Sequence, residues 1–251
     1  MRKMLRFEAA RTLADPSFFL SWLAFLAAFA VYAFTLHLGR LGGTGNQAMP
    51  LNISYSAYAA KDAWVALCCL VAAMAARSVR SDMSSRRIEV ILTQRVDRRD
   101  YYLGKSLFFV LAGILLTAAL VAVAWSAGNV VFMGRYPVSG IDAETGPGAV
   151  LGLLCSGAAL ASTSLLPVVG AAVGLALLKA PAAAVYAALA FLAWPLSVVA
   201  NALFGPAVLV DYAFAEAPRM GGRQALALLS ALAAAALVYP LLWMLVRKRD
   251  I

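Results

Sequence analysis

Few side chains in this sequence could do covalent or metal chemistry, and their spacing argues against it. Cys68, Cys69 and Cys155 lie inside apolar runs without a Cys-x-x-Cys pair. That pattern supports neither a disulfide framework nor a zinc site. They read as small apolar fillers within helices. The single histidine, His37, is followed by Arg40 and Gly42, with no acid beside it. It supplies neither a metal-ligand set nor an activated nucleophile. Gly104-Lys105-Ser106 has the ending of a phosphate-binding loop, but Arg99 stands where that loop needs its first glycine. Without a glycine-rich turn after a strand there is no cradle for phosphates, so Lys105 is read as an anchor at a membrane face. Ser162, Thr163 and Ser164 form a polar cluster in an apolar stretch. They either face a substrate path or bond their own helix, as hydroxyls in helices commonly do.

Elements able to position such residues follow from composition. Of the 251 residues, 63% are hydrophobic and 13% charged, and the mean hydropathy is +0.83. A soluble domain is about 45–50% apolar and about 25% charged. The chain is too poor in charge to cover a core with polar surface, and it fits neither the disordered nor the disulfide-rich class. The expected fold class is all-α: a polytopic membrane protein.

A helix crossing about 30 Å of hydrocarbon needs about 20 apolar residues. Six stretches qualify, at 18–38, 57–76, 102–125, 149–178, 181–200 and 224–246. Asp15-Pro16 precedes the first, an acid at the N-cap followed by proline at the first helical position. Asp97-Arg98-Arg99-Asp100 opens the third in the manner of a capping box. Residues 1–15 are read as an interfacial helix with basic residues among Met4, Leu5, Phe7 and Leu13, not as a cleaved leader. Residues 201–222 contain an apolar run broken by Gly205-Pro206, too short to span and compatible with a re-entrant outer segment.

The 21 basic residues then orient the chain. With the N-terminus inside, 16 face the cytoplasm: four before residue 16, eight in 77–105, Lys179, and three at 247–249. Five face outward: Arg40, Lys61, Arg135, Arg219 and Arg223. The positive-inside rule therefore predicts a multi-pass protein with both termini cytoplasmic. Spread along membrane-proximal segments, these bases do not make a nucleic-acid surface. Lys61 and Asp62 sit at the outer end of the second span; Lys61 can snorkel to the interface, so a structural role is favoured over a gate. Gly170 and Gly174 form a Gly-x-x-x-Gly pattern of the kind that lets helices approach closely.

Residues 77–101 make the largest cytoplasmic segment. Within it Ile88, Ile91 and Leu92 recur at i, i+3 and i+4, one face of a short helix. Arg86, Arg87, Glu89 and Arg95 ring that face. Such a helix suits docking into a groove on a soluble partner, or resting on the membrane surface.

Six spans, an N-terminal interfacial helix and a short helix between spans two and three together resemble the membrane subunit of a type-2 ABC exporter, the bacterial ABC-2 permease family. The family's coupling segment reads Gly-Thr-Leu-Glu-Leu-Leu-Leu-Ala-Ser-Pro-Val-Ser-Arg, followed by Gly-Lys. Ile88-Glu89-Val90-Ile91-Leu92-Thr93 is similar to its centre, Val96-Asp97-Arg98 to its end, and Gly104-Lys105 to the closing pair. Arg86-Arg87 replaces the family's Gly-Thr, and Arg95 its proline. The topology covers the whole chain; the motif covers residues 86–105. The resemblance implies a bacterial cytoplasmic-membrane exporter of an apolar or amphipathic cargo, such as a drug, antimicrobial peptide, lipid or glycan. It implies coupling contacts at Arg87, Ile88, Glu89, Ile91, Leu92 and Arg95. It implies a second membrane subunit, identical or homologous, and two copies of a separate ATP-binding-cassette ATPase. ATP and magnesium would sit on that ATPase, with no cofactor and no catalytic residue in this chain. Two other functions stand beside this one: an intramembrane enzyme, which would need paired catalytic side chains, and a membrane assembly factor without transport activity.

Overall fold

A computed structural model describes residues 2–41, 51–85, 87–93, 97–132, 165–180 and 220–248. Its elements are α1 (Arg2–Ala14), α2 (Pro16–Leu41), α3 (Leu51–Ser84), α4 (Arg87–Thr93), α5 (Arg98–Phe132), α6 (Leu165–Leu177) and α7 (Met220–Arg247). Among the described residues the chain is all-helical. Among these same residues two stretches, Pro16–Thr35 and Arg98–Ala124, are long and apolar enough to cross a membrane. The chain at 133–164, with Cys155 and the first half of the expected span at 149–178, and the chain at 181–219, with the expected span at 181–200 and most of the 201–222 segment, lie outside the described residues.

Local chemistry sets the helix ends. Pro16 has no N–H to continue α1, and Asp15 caps α2: its Oδ1 accepts the Ser17 amide at 2.9 Å and the Ser17 hydroxyl at 2.7 Å. These bonds, hydroxyl first, hold the Asp15 carboxyl below its usual value, with Arg77 and Arg11 adding a smaller pull. At the end of α3, the Ser84 and Ser85 hydroxyls both bond the Ser81 carbonyl, competing with continuation of the helix. Asp97 stands just outside α5, and its carbonyl accepts the Tyr101 amide at 2.9 Å. The end of α6 is a Schellman motif. Lys179 adopts φ 57°, the Ala180 amide bonds the Leu175 carbonyl, and the Lys179 amide bonds that of Ala176.

α3 and α5 overrun the stretches expected to cross the membrane. At about 1.5 Å per residue each is about 50 Å long. The polar extension of α3 beyond Ala76 stays helical because its side chains find partners. Arg80 donates to the Ala180 carbonyl at 2.6 Å, and Asp82 joins the ionic cluster described below.

α5 lies at the centre, packed along α3, α2 and α6, with α7 against α6. Leu67, Val71 and Ala75 of α3, Leu116 and Leu120 of α5, and Leu165, Val169 and Val173 of α6 fill the core. Paired contacts give the directions. Asp82 meets Tyr101 and Val71 faces Gly113, so α3 and α5 are antiparallel. Tyr102 meets Gly170 and Gly113 faces Leu165, so α5 and α6 are antiparallel. Gly170 faces Tyr239 and Gly174 faces Leu242, so α6 and α7 are parallel. The starts of α2 and α5 and the ends of α3, α6 and α7 consequently share one end of the bundle, here termed the basic end.

The Gly-x-x-x-Gly pattern lies at a helix contact. A Cβ on Gly170 would stand 2.8 Å from the Tyr239 ring, and one on Gly174 2.8 Å from Leu242. Tyr102 packs its ring at a tilt against Tyr239, centroids 5.5 Å apart, and donates to the Gly170 carbonyl at 3.1 Å. Away from these contacts, large apolar side chains face outward. Leu20, Leu23 and Val31 of α2, Leu115 and Val130 of α5, and Leu237 of α7 are all exposed. Only 11% of the apolar window of α2 is buried, a surface that water does not favour.

Candidate functional site

The densest polar chemistry of the described residues lies at the basic end, where α1 crosses α3 and α5. Tyr101 and Lys105 are one turn apart on α5 and share a face. Glu8 and Arg11 are likewise neighbours on α1. Ser78 and Asp82 occupy the matching face of α3. Packing closes these three faces on one another. The Asp82 carboxylate accepts from Arg11 on one oxygen. On the other it accepts from Lys105, and from the Tyr101 hydroxyl at 2.7 Å. Lys105 also donates to the Tyr101 oxygen at 3.1 Å and lies 3.0 Å from Glu8 Oε1. That last approach is a charge contact, angled outside hydrogen-bond geometry. The Ser78 hydroxyl donates to the other Glu8 oxygen at 3.4 Å.

Glu8, Asp82 and Lys105 are fully buried, whereas the Arg11 side chain retains 22% exposure. Two acids and two bases make the cluster formally neutral. Neutrality is what permits the burial, because an unpaired charge in this environment costs several kcal/mol. Chemically the arrangement is a clamp. It offers no activated nucleophile, and its carboxylates are already engaged by cations from other helices. It ties α1 to the end of α3 and the start of α5, the two helices that flank α4.

Lys105 departs from the sequence expectation. Instead of anchoring at a membrane face it is 0% exposed, because its side chain points between α1 and α3, where Asp82 and Glu8 neutralise it. Gly104-Lys105-Ser106 lies inside α5, as helix rather than loop. Glu8, Arg11, Asp82 and Tyr101 were not singled out in the sequence. The available signals were the i, i+3 and i, i+4 spacings of Glu8–Arg11 and Tyr101–Lys105, and a lysine at the start of a long apolar run.

The segment expected to couple to a partner forms α4, and Ile88 and Ile91 do share a face. That face turns inward: Ile88 and Ile91 are 4% and 8% exposed and belong to the chain's own core. Among the α4 side chains described, Arg87, Glu89 and Thr93 are exposed. Burial inside the chain wins because α4 is tethered at both ends to α3 and α5, so its apolar pair meets the bundle without any partner. The Leu92 side chain and Arg95 lie outside the described residues, as do Ser162, Thr163 and Ser164. Comparison with protein-family models, curated proteins and solved structures finds no match for this chain.

Proposed function

We propose that this chain is the membrane subunit of an ATP-driven exporter, working with a separate ATPase at its basic end. In this reading it is a six-span protein of the bacterial cytoplasmic membrane with both termini inside. The observation that carries it is the ionic cluster. A motion imposed on α4 would move α3, α5 and α1 as one clamped body, which is what transmission from a soluble motor to transmembrane helices requires. Helix direction supports the topology. The described helices bring to one end the segments that hold most of the basic residues. α7 is about 40 Å long and runs parallel to α6. The chain between them therefore has the length of the bundle to cover, which a fifth span at 181–200 would do.

The inward face of α4 changes the coupling contacts. The surface offered to an ATPase is the charged one, with Arg87 and Glu89, and Ile88 and Ile91 hold α4 to its own bundle. Ile91→Asp would therefore damage the chain itself and test nothing about a partner. The informative variant is Arg87→Glu with Glu89→Lys, which reverses exposed charge without touching the core. The reading expects the isolated chain to hydrolyse no ATP, the pair to hydrolyse it, and the reversed variant to insert normally but lose its ATPase in a pull-down. Robust hydrolysis by the purified chain alone would sink the assignment. Undiminished ATPase recovery with the variant would move the contact elsewhere.

A further inference from the structure

Beside the ionic cluster, between the α1–α2 junction and α3, lies a cavity of about 140 Å³, ~10 times what one water needs by this measure. Phe18, Met74 and Phe109 give it an apolar floor, and Thr12, Asp15 and Arg77 are among its polar lining. Two of its donors are unused. Thr12 is 9% exposed, and among the described residues nothing bonds its hydroxyl. Arg77 is exposed, with no acid of the described residues at ion-pair distance. It lies near enough to Asp15 to contribute to lowering that carboxyl. Arg11, which also lines the cavity, is already held by Asp82. A guanidinium beside a carboxylate, over an aromatic floor, complements a group carrying both charges. The cavity sits where the apolar stretch of α2 begins and that of α3 ends, the depth at which lipid phosphates lie around a spanning helix.

We propose that this cavity binds the head group of a phospholipid that carries both a phosphate and a primary ammonium. Arg77 and the Thr12 hydroxyl take the phosphate, Asp15 takes the ammonium, and the first acyl carbons lie on Phe18. The assignment rests on the membrane part of the proposed function and not on transport, so it stands or falls separately from the ATPase.

The test is native mass spectrometry of the full chain, delipidated in detergent and titrated with phosphatidylethanolamine or phosphatidylglycerol. Wild type should bind one phosphatidylethanolamine in preference to phosphatidylglycerol. Arg77→Gln should weaken binding about tenfold or more, the loss of one charge-assisted hydrogen bond, and Arg77→Lys should restore most of it. Asp15→Asn preserves the helix cap and should abolish the preference between the two lipids while leaving binding. Equal binding by wild type and Arg77→Gln would overturn the proposal, as would a wild-type preference for phosphatidylglycerol. Displacement of the lipid by inorganic phosphate would make the ligand a soluble anion and equally overturn it. Recovery of the expressed chain in the soluble fraction of cells would instead remove the membrane reading beneath it.

Discussion

Replacing Lys105 with methionine keeps the length of the side chain and removes its charge. In wild type Glu8 and Asp82 are opposed by Lys105 and Arg11, with both acids and the lysine fully buried. After Lys105→Met two buried carboxylates face one arginine, and the Tyr101 hydroxyl loses its ammonium donor. Removing one partner of a buried pair costs about 3–5 kcal/mol. For a chain of this size that corresponds to a fall of roughly 6–20 °C in melting midpoint. The informative step is the second substitution. Glu8→Gln alone leaves an excess base, but Glu8→Gln in the Lys105→Met background leaves the neutral pair Arg11–Asp82. The double variant should therefore be more stable than the sum of the singles, with a coupling of about 0.5–3 kcal/mol. The assay is the unfolding midpoint in one detergent at one heating rate, since irreversible unfolding makes such midpoints depend on rate. Strict additivity, or singles that each shift the midpoint by less than a degree or two, would refute the clamp.

Four further outcomes are expected, the first from the charge distribution and the rest from other parts of the structure. Reporters fused after Arg95 and after Ala143 should read cytoplasmic and external respectively; a cytoplasmic signal at Ala143 would break the six-span arrangement. Gly170→Ala should loosen α6 from α7, because its Cβ would meet the Tyr239 ring at 2.8 Å; overpacking costs about 1–3 kcal/mol, against at most about 1 kcal/mol regained in helix propensity, and Tyr239→Leu in the same chain should relieve it. Lys179→Gly should stabilise by about 1 kcal/mol, since φ 57° is natural to glycine and strained for lysine; a lower melting midpoint would mean that the lysine side chain contributes more than its backbone costs. Asp15→Ala should cost about 0.5–2 kcal/mol where Asp15→Asn costs little. Because the folded Asp15 carboxyl is held low, its capping contribution is complete above the unfolded value and is lost as pH falls through the folded one; a gap between wild type and Asp15→Ala that does not shrink in acid would contradict this.

Local signals in the sequence determined the class and several element ends. The apolar excess pointed to helices, because in a non-aqueous setting backbone groups must be satisfied within each segment. Asp15-Pro16 marks the α1–α2 break because proline's missing N–H and an acid's acceptor act within three residues. The spacing of Ile88 and Ile91 announces α4 because helical periodicity is a property of neighbours. Which way α4 faces was not legible. An apolar stripe is the same stripe whether it meets its own bundle or another protein, and only the placement of α3 and α5 on either side turned it inward. Lys105 read as a surface anchor because its acids are distant in sequence. Asp82 is 23 positions away, and Arg11 reaches Asp82 across 71. Likewise Gly170 and Gly174 announced a close approach without naming Tyr239 and Leu242. Charge pairing and close packing depend on distance in space, and chain folding sets that distance between elements whose local sequences carry no record of one another.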